Sequence, residues 1–312
     1  MIIAILDLGT NTFHCLIARV ENDGSVKKLF KRKIAVKLGQ GGINKKIITE
    51  DAAARGLRAL GEFWNELKKY NPDHTEIIGT AAFREASNAA DFIAEAKKIT
   101  GTEIRVISGE KEAELIYMGV RKAVELGKEN SLIMDIGGGS TEFIIANEEK
   151  IFWRQSFMLG AGLMLEHFIP SDPIKESEII GIEQYLKENL LPLFHALKEY
   201  KPEALIGSSG SFDTFAEIIA HRYFTPALLK GKTTFDFDMN QFGEIYRQLL
   251  ESTHATRLRT KGLIPMRADM IVIAGIFVNF IMRESGIKKM RLSTYALKEG
   301  LLWRTIERLT GK

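Results

Sequence analysis

A strand that ends on a carboxylate and turns back through glycine occurs twice in this chain, and this repeat constrains the fold more than any other feature. One copy, DIGGGSTEF, begins at Asp135, and the other, DLGTNTF, begins at Asp7. In both, an apolar residue and then a glycine follow the aspartate, so Gly9 corresponds to Gly137. One such hairpin can arise by chance. Two copies predict a duplicated domain whose two loops face one ligand.

The loops of both hairpins suit a phosphate group. Glycine lets a ligand approach the main chain closely, and successive backbone N–H groups in such a turn form an anion-binding concavity. An ordinary glycine-rich hairpin is the alternative interpretation. The predicted phosphate-binding residues are Asp7, Gly9, Thr10, Asn11 and Thr12 in the first copy and Gly137, Gly138, Gly139, Ser140 and Thr141 in the second.

Two carboxylates flank the glycines of the second hairpin. Asp135 precedes them and Glu142 follows them, so both side chains could face the mouth of the turn. Carboxylates cannot bind phosphate directly, but they can hold a divalent cation that does. We expect Mg²⁺ or Mn²⁺ here, because the site offers oxygen ligands and no thiolate or clustered imidazole. The alternative for Glu142 is an exposed strand carboxylate.

A third glycine-containing turn leaves a strand and enters a helix. Helix N-termini bind anions through their free N–H groups and their dipole. A plain strand-to-helix loop is an equally good interpretation of this segment taken alone. The candidate phosphate or nucleotide contacts are Gly207, Ser208, Ser209, Gly210 and Ser211.

Three loops of this kind, in this order, resemble the superfamily of acetate and sugar kinases, heat-shock chaperones and actin. More specifically, the chain resembles the exopolyphosphatase/guanosine pentaphosphate phosphatase (Ppx/GppA) family over essentially its whole length. The resemblance rests on DLGTNTFHCLIARV at 7–20, GTAAFREASNAADF at 79–92, VISGEKEAELIYMGV at 106–120, DIGGGSTEFII at 135–145, IGSSGS at 206–211, RADMI at 267–271 and ALKEGLL at 296–302.

The resemblance implies an α/β fold of duplicated actin-like (ribonuclease H-like) domains with a phosphate-binding cleft between them. We expect an N-terminal phosphatase domain over 1–126 that also contains a returning C-terminal helix at about 297–312. A second actin-like domain would cover 127–296. Alternating strands and helices along the chain agree with α/β layers. The pattern predicts long helices over 49–70, 110–126, 174–200 and 267–284.

The resemblance also assigns the catalytic residues. Position and charge alone leave Glu110, Glu112 and Glu114 open as the base that activates water. The family pattern ISG-x-x-EA selects Glu112, and it places at Arg84 an arginine that contacts substrate phosphate. A salt bridge at a helix start is the alternative for Arg84. For Arg267, in RADMI, capping and domain packing are at least as plausible as contact with substrate.

The resemblance implies two related functions for these residues, and a third of another class is weighed against them. The leading one is an enzyme, an exopolyphosphatase, that hydrolyses the terminal phosphate of inorganic polyphosphate with Glu-activated water and a divalent metal. The sister activity is a guanosine pentaphosphate 5′-phosphohydrolase. An alternative of another class is an actin-like nucleotide-dependent assembly protein or chaperone-type ATPase. We disfavour it because such proteins carry inserted subdomains or a peptide-binding domain, for which this chain has no room.

The composition adds few constraints. The net charge of +3 gives no case for nucleic-acid binding. Basic residues cluster between Lys27 and Lys37, and we favour a solvated strand face over a polyanion track for them. The longest apolar run, from Met270 to Met282, is too short to span a bilayer. We therefore expect a cytoplasmic enzyme without a membrane partner, and a homodimer that joins two clefts stays open.

Overall fold

Two mixed sheets carry the repeat that the sequence predicts. The computed structural model describes residues 1–311, and within that range one sheet has five strands and the other has six. The central strands bury their side chains on both faces, because helices cover both sides of each sheet. The first sheet contains β1 (Ile2–Leu8), β2 (Thr12–Val20), β3 (Val26–Ala35), β4 (His74–Gly79) and β5 (Arg105–Val106). The second contains β6 (Ser131–Ile136), β7 (Thr141–Ala146), β8 (Ile151–Phe157), β9 (Ala204–Ser208), β10 (Thr234–Phe237) and β11 (Lys289–Ser293).

Helices connect the strands and pack on the sheets. Short 3₁₀ turns lie at Ile43–Lys45, Pro226–Leu229 and Pro265–Arg267. The first half contains α1 (Glu50–Tyr70), α2 (Ala81–Glu85), α3 (Ala89–Thr100) and α4 (Gly109–Arg121). The remainder contains α5 (Ala161–Phe168), α6 (Glu176–Asn189), α7 (Leu191–Tyr200), α8 (Ser209–Tyr223), α9 (Met239–Glu251), α10 (His254–Arg259), α11 (Ile271–Ser285) and α12 (Leu297–Thr310).

The strand order shows the duplication directly. The first sheet runs β3-β2-β1-β4-β5, and the second runs β8-β7-β6-β9-β11-β10. In each sheet an antiparallel three-stranded meander is followed by a parallel strand that returns through helices. The two hairpin turns also close in the same way. The amide of Gly9 donates to the Thr12 carbonyl at 3.1 Å, and the amide of Gly137 donates to the Ser140 carbonyl at 2.9 Å.

Helices α4 and α12 pack unusually close together, and this contact brings the C-terminal helix against the first sheet. A Cβ atom on Gly300 would lie 1.7 Å from the Leu115 carbonyl oxygen, and one on Gly119 would lie 2.2 Å from the Ala296 carbonyl oxygen. Only glycine permits such an approach. The apolar side of α12 shares a core with β1 and α4. The division of the chain near residue 126 stays a prediction, and that position lies in the loop between α4 and β6.

Three predicted helices have different bounds in the structure. The helix predicted over 174–200 is two helices that meet at Leu190, because Pro192 suits the start of a new helix and cannot continue the old one. The helix predicted over 110–126 ends at Arg121, and that predicted over 267–284 begins at Ile271 after a 3₁₀ turn. Across the described residues no helix is long and apolar enough to cross a bilayer.

Candidate active site

The two hairpin turns meet at the mouth of a cavity of about 340 Å³. Gly138 lies against the first hairpin so closely that a Cβ atom would come within 2.8 Å of the Asn11 Cβ. A Cβ on Gly139 would lie 2.6 Å from the Thr10 hydroxyl oxygen. Glycine is therefore needed in the second loop because the first loop occupies the space that a side chain would fill. The two predicted phosphate loops line one cavity, as the duplication requires.

Glu112 reaches the cavity from the first turn of α4. The side chain of Ser108 caps this helix by accepting a hydrogen bond from the amide of Lys111 at 3.2 Å. Glu112 is 6% exposed, and its carboxylate accepts a hydrogen bond from Arg84 Nη1 at 2.6 Å. The same guanidinium nitrogen donates to the Ile107 carbonyl at 3.1 Å. Arg84 thus holds the Glu112 carboxylate in one position.

Burial controls the protonation of Glu112. Desolvation raises its pKa from 4.5 to about 7, and the ion pair with Arg84 opposes this rise. Burial also raises the pKa of Asp7 to about 7, while the Lys298 ammonium opposes that rise. A carboxyl group with a pKa near neutral pH can accept and release a proton readily, as a general base requires.

Asp135 and Glu142 face each other across β6 and β7. The Asp135 carboxylate accepts hydrogen bonds from the hydroxyls of Ser208 and Ser209, each at 2.6 Å. The Glu142 carboxylate accepts one from the hydroxyl of Ser156 at 2.6 Å. Burial raises the pKa of both groups, and for Glu142 the nearby carboxylates of Glu112 and Asp135 raise it further.

This donor set could hold a hard divalent cation. A cation between Asp135 and Glu142 would relieve their mutual repulsion in a buried place. Within residues 1–311 no group of three or more His, Cys, Asp or Glu side chains is arranged to hold a metal ion. The two carboxylates would therefore need water and phosphate oxygens to complete the shell, which is the usual way that Mg²⁺ binds.

The third predicted loop, residues 207–211, contacts the site through Ser208, Ser209 and Gly210. The hydroxyls of Ser208 and Ser209 fix Asp135, as described above, and α8 begins at Ser209. The guanidinium of Arg267 lies directly on the loop, because a Cβ atom on Gly210 would come within 1.5 Å of its Nη2 atom. Arg267 donates to the Thr214 hydroxyl at 3.1 Å. An arginine in this position adds a cation to the wall of the cavity.

Comparison with known proteins shows which family the chain belongs to. The model of the Ppx/GppA phosphatase family matches residues 16–309. The chain belongs to this family. A solved exopolyphosphatase from Cytophaga hutchinsonii is 38% identical, with 98% of both chains covered and a TM-score of 0.94. A Haemophilus influenzae protein, whose name provisionally calls it an exopolyphosphatase, is 30% identical over 96% of this chain and 90% of its own length.

A more distant relative supports the fold alone. The Ppx/GppA family member from Aquifex aeolicus is 23% identical, covers 99% of this chain and 98% of its own, and has a TM-score of 0.80. The predictions of the family and of duplicated actin-like α/β domains are confirmed. The prediction of an enzyme, a phosphoanhydride hydrolase, is confirmed by the same comparisons.

Most of the predicted site residues of this Ppx/GppA protein line the cavity. Arg84, Thr141, Gly207 and Ser208 do not line it. Arg84 lies beside Glu112, and the Thr141 hydroxyl donates to the Leu159 carbonyl at 3.0 Å. The predicted residues on the cavity wall are Asp7, Gly9, Thr10, Asn11, Thr12, Glu112, Asp135, Gly137, Gly138, Gly139, Ser140, Glu142, Ser209, Gly210 and Ser211.

The cavity also contains cations that the sequence interpretation missed. Lys298, at the start of α12, is 8% exposed and pairs with the buried Glu299 at 3.1 Å. Lys31, Arg32 and Lys33 line the same cavity from β3, and all three are exposed, as the prediction of a solvated strand face requires. Their places on the cavity wall leave no local pattern in the sequence, because they depend on the pairing of β3 with β2. His14 also lines the cavity. In the strand register it lies opposite Asp7 of β1 and opposite Lys33 of β3.

Proposed function

We propose that this Ppx/GppA protein is an exopolyphosphatase that removes the terminal phosphate of inorganic polyphosphate. The observation that carries the proposal is a buried Glu112, with a pKa of about 7, in a cavity walled by two glycine turns and several cations. The 38% identity to a solved exopolyphosphatase over almost the whole chain supports the same substrate.

In the proposed reaction Glu112 accepts a proton from a water molecule that attacks the terminal phosphorus atom. A new P–O bond forms to this water as the bond to the bridging oxygen breaks, and the shortened chain leaves with the bridging oxygen. Arg84 orients the base through its hydrogen bond at 2.6 Å. The amides of both glycine turns, with Lys298 and Arg267, would neutralise the charge on the transferring phosphoryl group.

We further propose that Asp135 and Glu142 hold Mg²⁺ or Mn²⁺. A divalent ion held by these carboxylates would supply positive charge against the negative charge of the phosphate oxygens. The hydroxyls of Ser156, Ser208 and Ser209 keep the two carboxylates oriented, so they act as supports of the ligands.

The lining of the cavity favours a simple phosphate chain over a guanosine nucleotide. Among the described residues, none of the side chains on its wall is Phe, Tyr or Trp, and the imidazole of His14 is the only aromatic ring there. A base is commonly held by stacking on such a ring. Cations, by contrast, are abundant, and they suit repeated phosphate units.

The test is phosphate release from three substrates under the same conditions. Purified protein with Mg²⁺ is given polyphosphate, guanosine pentaphosphate or ATP, and kcat/KM is measured for each. We expect the highest kcat/KM for polyphosphate. A higher value for guanosine pentaphosphate would favour the sister activity, and a preference for ATP would refute both phosphatase assignments.

A further inference from the structure

Two further cavities lie next to the catalytic cavity, one after the other along helix α8. The catalytic cavity reaches the start of α8, at Ser209 to Asp213. A second cavity of about 560 Å³ lies beside the middle of the helix, and a third of about 790 Å³ lies at its end. Lys33 and Arg267 line both the first and the second, and His221 lines both the second and the third. The three cavities therefore adjoin one another along the 15-residue helix, about 22 Å at 1.5 Å per residue.

The last cavity is bounded by cations that have no carboxylate partner. Arg247 projects from α9, Arg259 ends α10, and Lys261 follows it. Within residues 1–311 none of the three has a carboxylate oxygen within 4.0 Å. Of the two carboxylates on this wall, Glu244 is already engaged, since it pairs with Arg222 at 3.7 Å and accepts from a tyrosine hydroxyl. The cavity thus keeps a surplus of positive charge.

The middle cavity is mixed in charge. Lys33, Lys232 and Arg267 line it together with Asp213 and Glu217. The described residues give none of these cations a salt bridge. The cations are therefore available to a ligand, and they exceed the carboxylates in number.

We propose that the distal phosphates of a linear polyphosphate lie along α8 while the terminal phosphate is hydrolysed in the catalytic cavity. The path, which we call the α8 groove, runs from Lys33 and Arg267 to Arg247, Arg259 and Lys261. A chain with a negative charge on every unit is the ligand class that fits unpaired cations spaced along a groove. This inference rests on the proposed polyphosphatase activity and adds a binding site for the distant part of its substrate.

The test uses a variant that neutralises the far end of the groove, R247Q/R259Q/K261Q. The matched control, K187Q/K198Q/K288Q, neutralises three exposed lysines elsewhere on the second half. Hydrolysis of long polyphosphate and of tripolyphosphate is measured for both variants at low salt and at raised salt. The groove variant should raise KM for long polyphosphate about tenfold, since exposed ionic contacts each contribute modestly. Its kcat and its kinetics with tripolyphosphate should match those of the wild type.

The outcomes separate this inference from the proposed function. A long-chain KM equal to that of the wild type, or an equal loss with tripolyphosphate, would overturn the α8 groove while polyphosphatase activity stands. An equal rise in KM for the control variant would also overturn it, because net charge alone would then explain the effect. If the wild type hydrolyses neither polyphosphate, the proposed function and the groove fail together. A weaker salt dependence of KM in the groove variant supports the inference.

Discussion

Replacement of Glu112 by Gln is the perturbation with the best-defined expected magnitude. Gln keeps the size of the side chain and an oxygen that can accept the hydrogen bond from Arg84, but it cannot take a proton from water. A general base contributes about 10²–10⁴-fold to the rate, so kcat should fall by that factor, about 2.7–5.4 kcal/mol in activation free energy. Substrate binding should change little, because the cations and both glycine turns stay in place.

The variant should still fold. Loss of the charged partner of Arg84 destabilises the folded state by about 1–3 kcal/mol. The substitution also removes a cost. Burial raises the pKa of Glu112 from 4.5 to about 7, so the ionised side chain destabilises the folded wild type by about 3 kcal/mol at alkaline pH. Because this pKa is raised, the stability that Glu112 contributes is fully present below pH 4.5 and is lost as the pH rises through about 7. The Gln variant should lack this dependence.

The assay is phosphate release across a range of pH, beside E110Q as a control. Glu110 is an exposed carboxylate two positions earlier in α4, so its loss should leave kcat within about twofold. For the wild type, kcat/KM should rise with pH through about 7, because only the ionised Glu112 can accept the proton. Activity of E112Q within about threefold of the wild type, below the usual contribution of a base, would refute the assignment.

Three further outcomes follow from the site. Arg84→Lys keeps the charge but loses the planar fork, so kcat should fall about tenfold in the same assay, and wild-type kcat would show that charge alone suffices. Mg²⁺ at a concentration one hundred times its Kd should raise the free energy of unfolding by about 2.7 kcal/mol, measured by thermal unfolding. Asp135→Asn should remove this gain. An unchanged gain in that variant would show that the ion binds at another site. Gly210→Ala should displace the Arg267 guanidinium, which lies 1.5 Å from the new Cβ, and raise KM for polyphosphate, whereas Gly181→Ala, with open space at its Cβ, should not.

The repeated hairpin was readable from the sequence because it combines local signals. An apolar strand, a carboxylate and a glycine turn each leave a mark over a few residues. The family motif then selected Glu112 among three nearby glutamates, a choice that charge and position could not make. The structure supplies the reason that this position differs from Glu110: Glu112 is buried beside Arg84, and Glu110 is exposed.

Long-range placement was not readable. Lys298 enters the cavity because two glycines let α12 pack tightly on α4, and a contact between residues so far apart in sequence leaves no local pattern. The sequence of β3 is rich in Lys and Arg, as in many exposed strands, and only its register beside β2 places Lys33 next to the site. Sequence pattern also joined α6 and α7 into one helix, although Pro192 marks the break.

Terminal hydrolysis by water is tested most directly by following the products of polyphosphate of defined length with ³¹P NMR in ¹⁸O-labelled water. We expect that orthophosphate is released from the chain ends, that the number of chain ends stays constant as the chains shorten, and that each orthophosphate carries one labelled oxygen. An increase in the number of chain ends would show internal cleavage and refute the assignment as an exopolyphosphatase. Unlabelled orthophosphate would contradict attack by water on the terminal phosphorus atom.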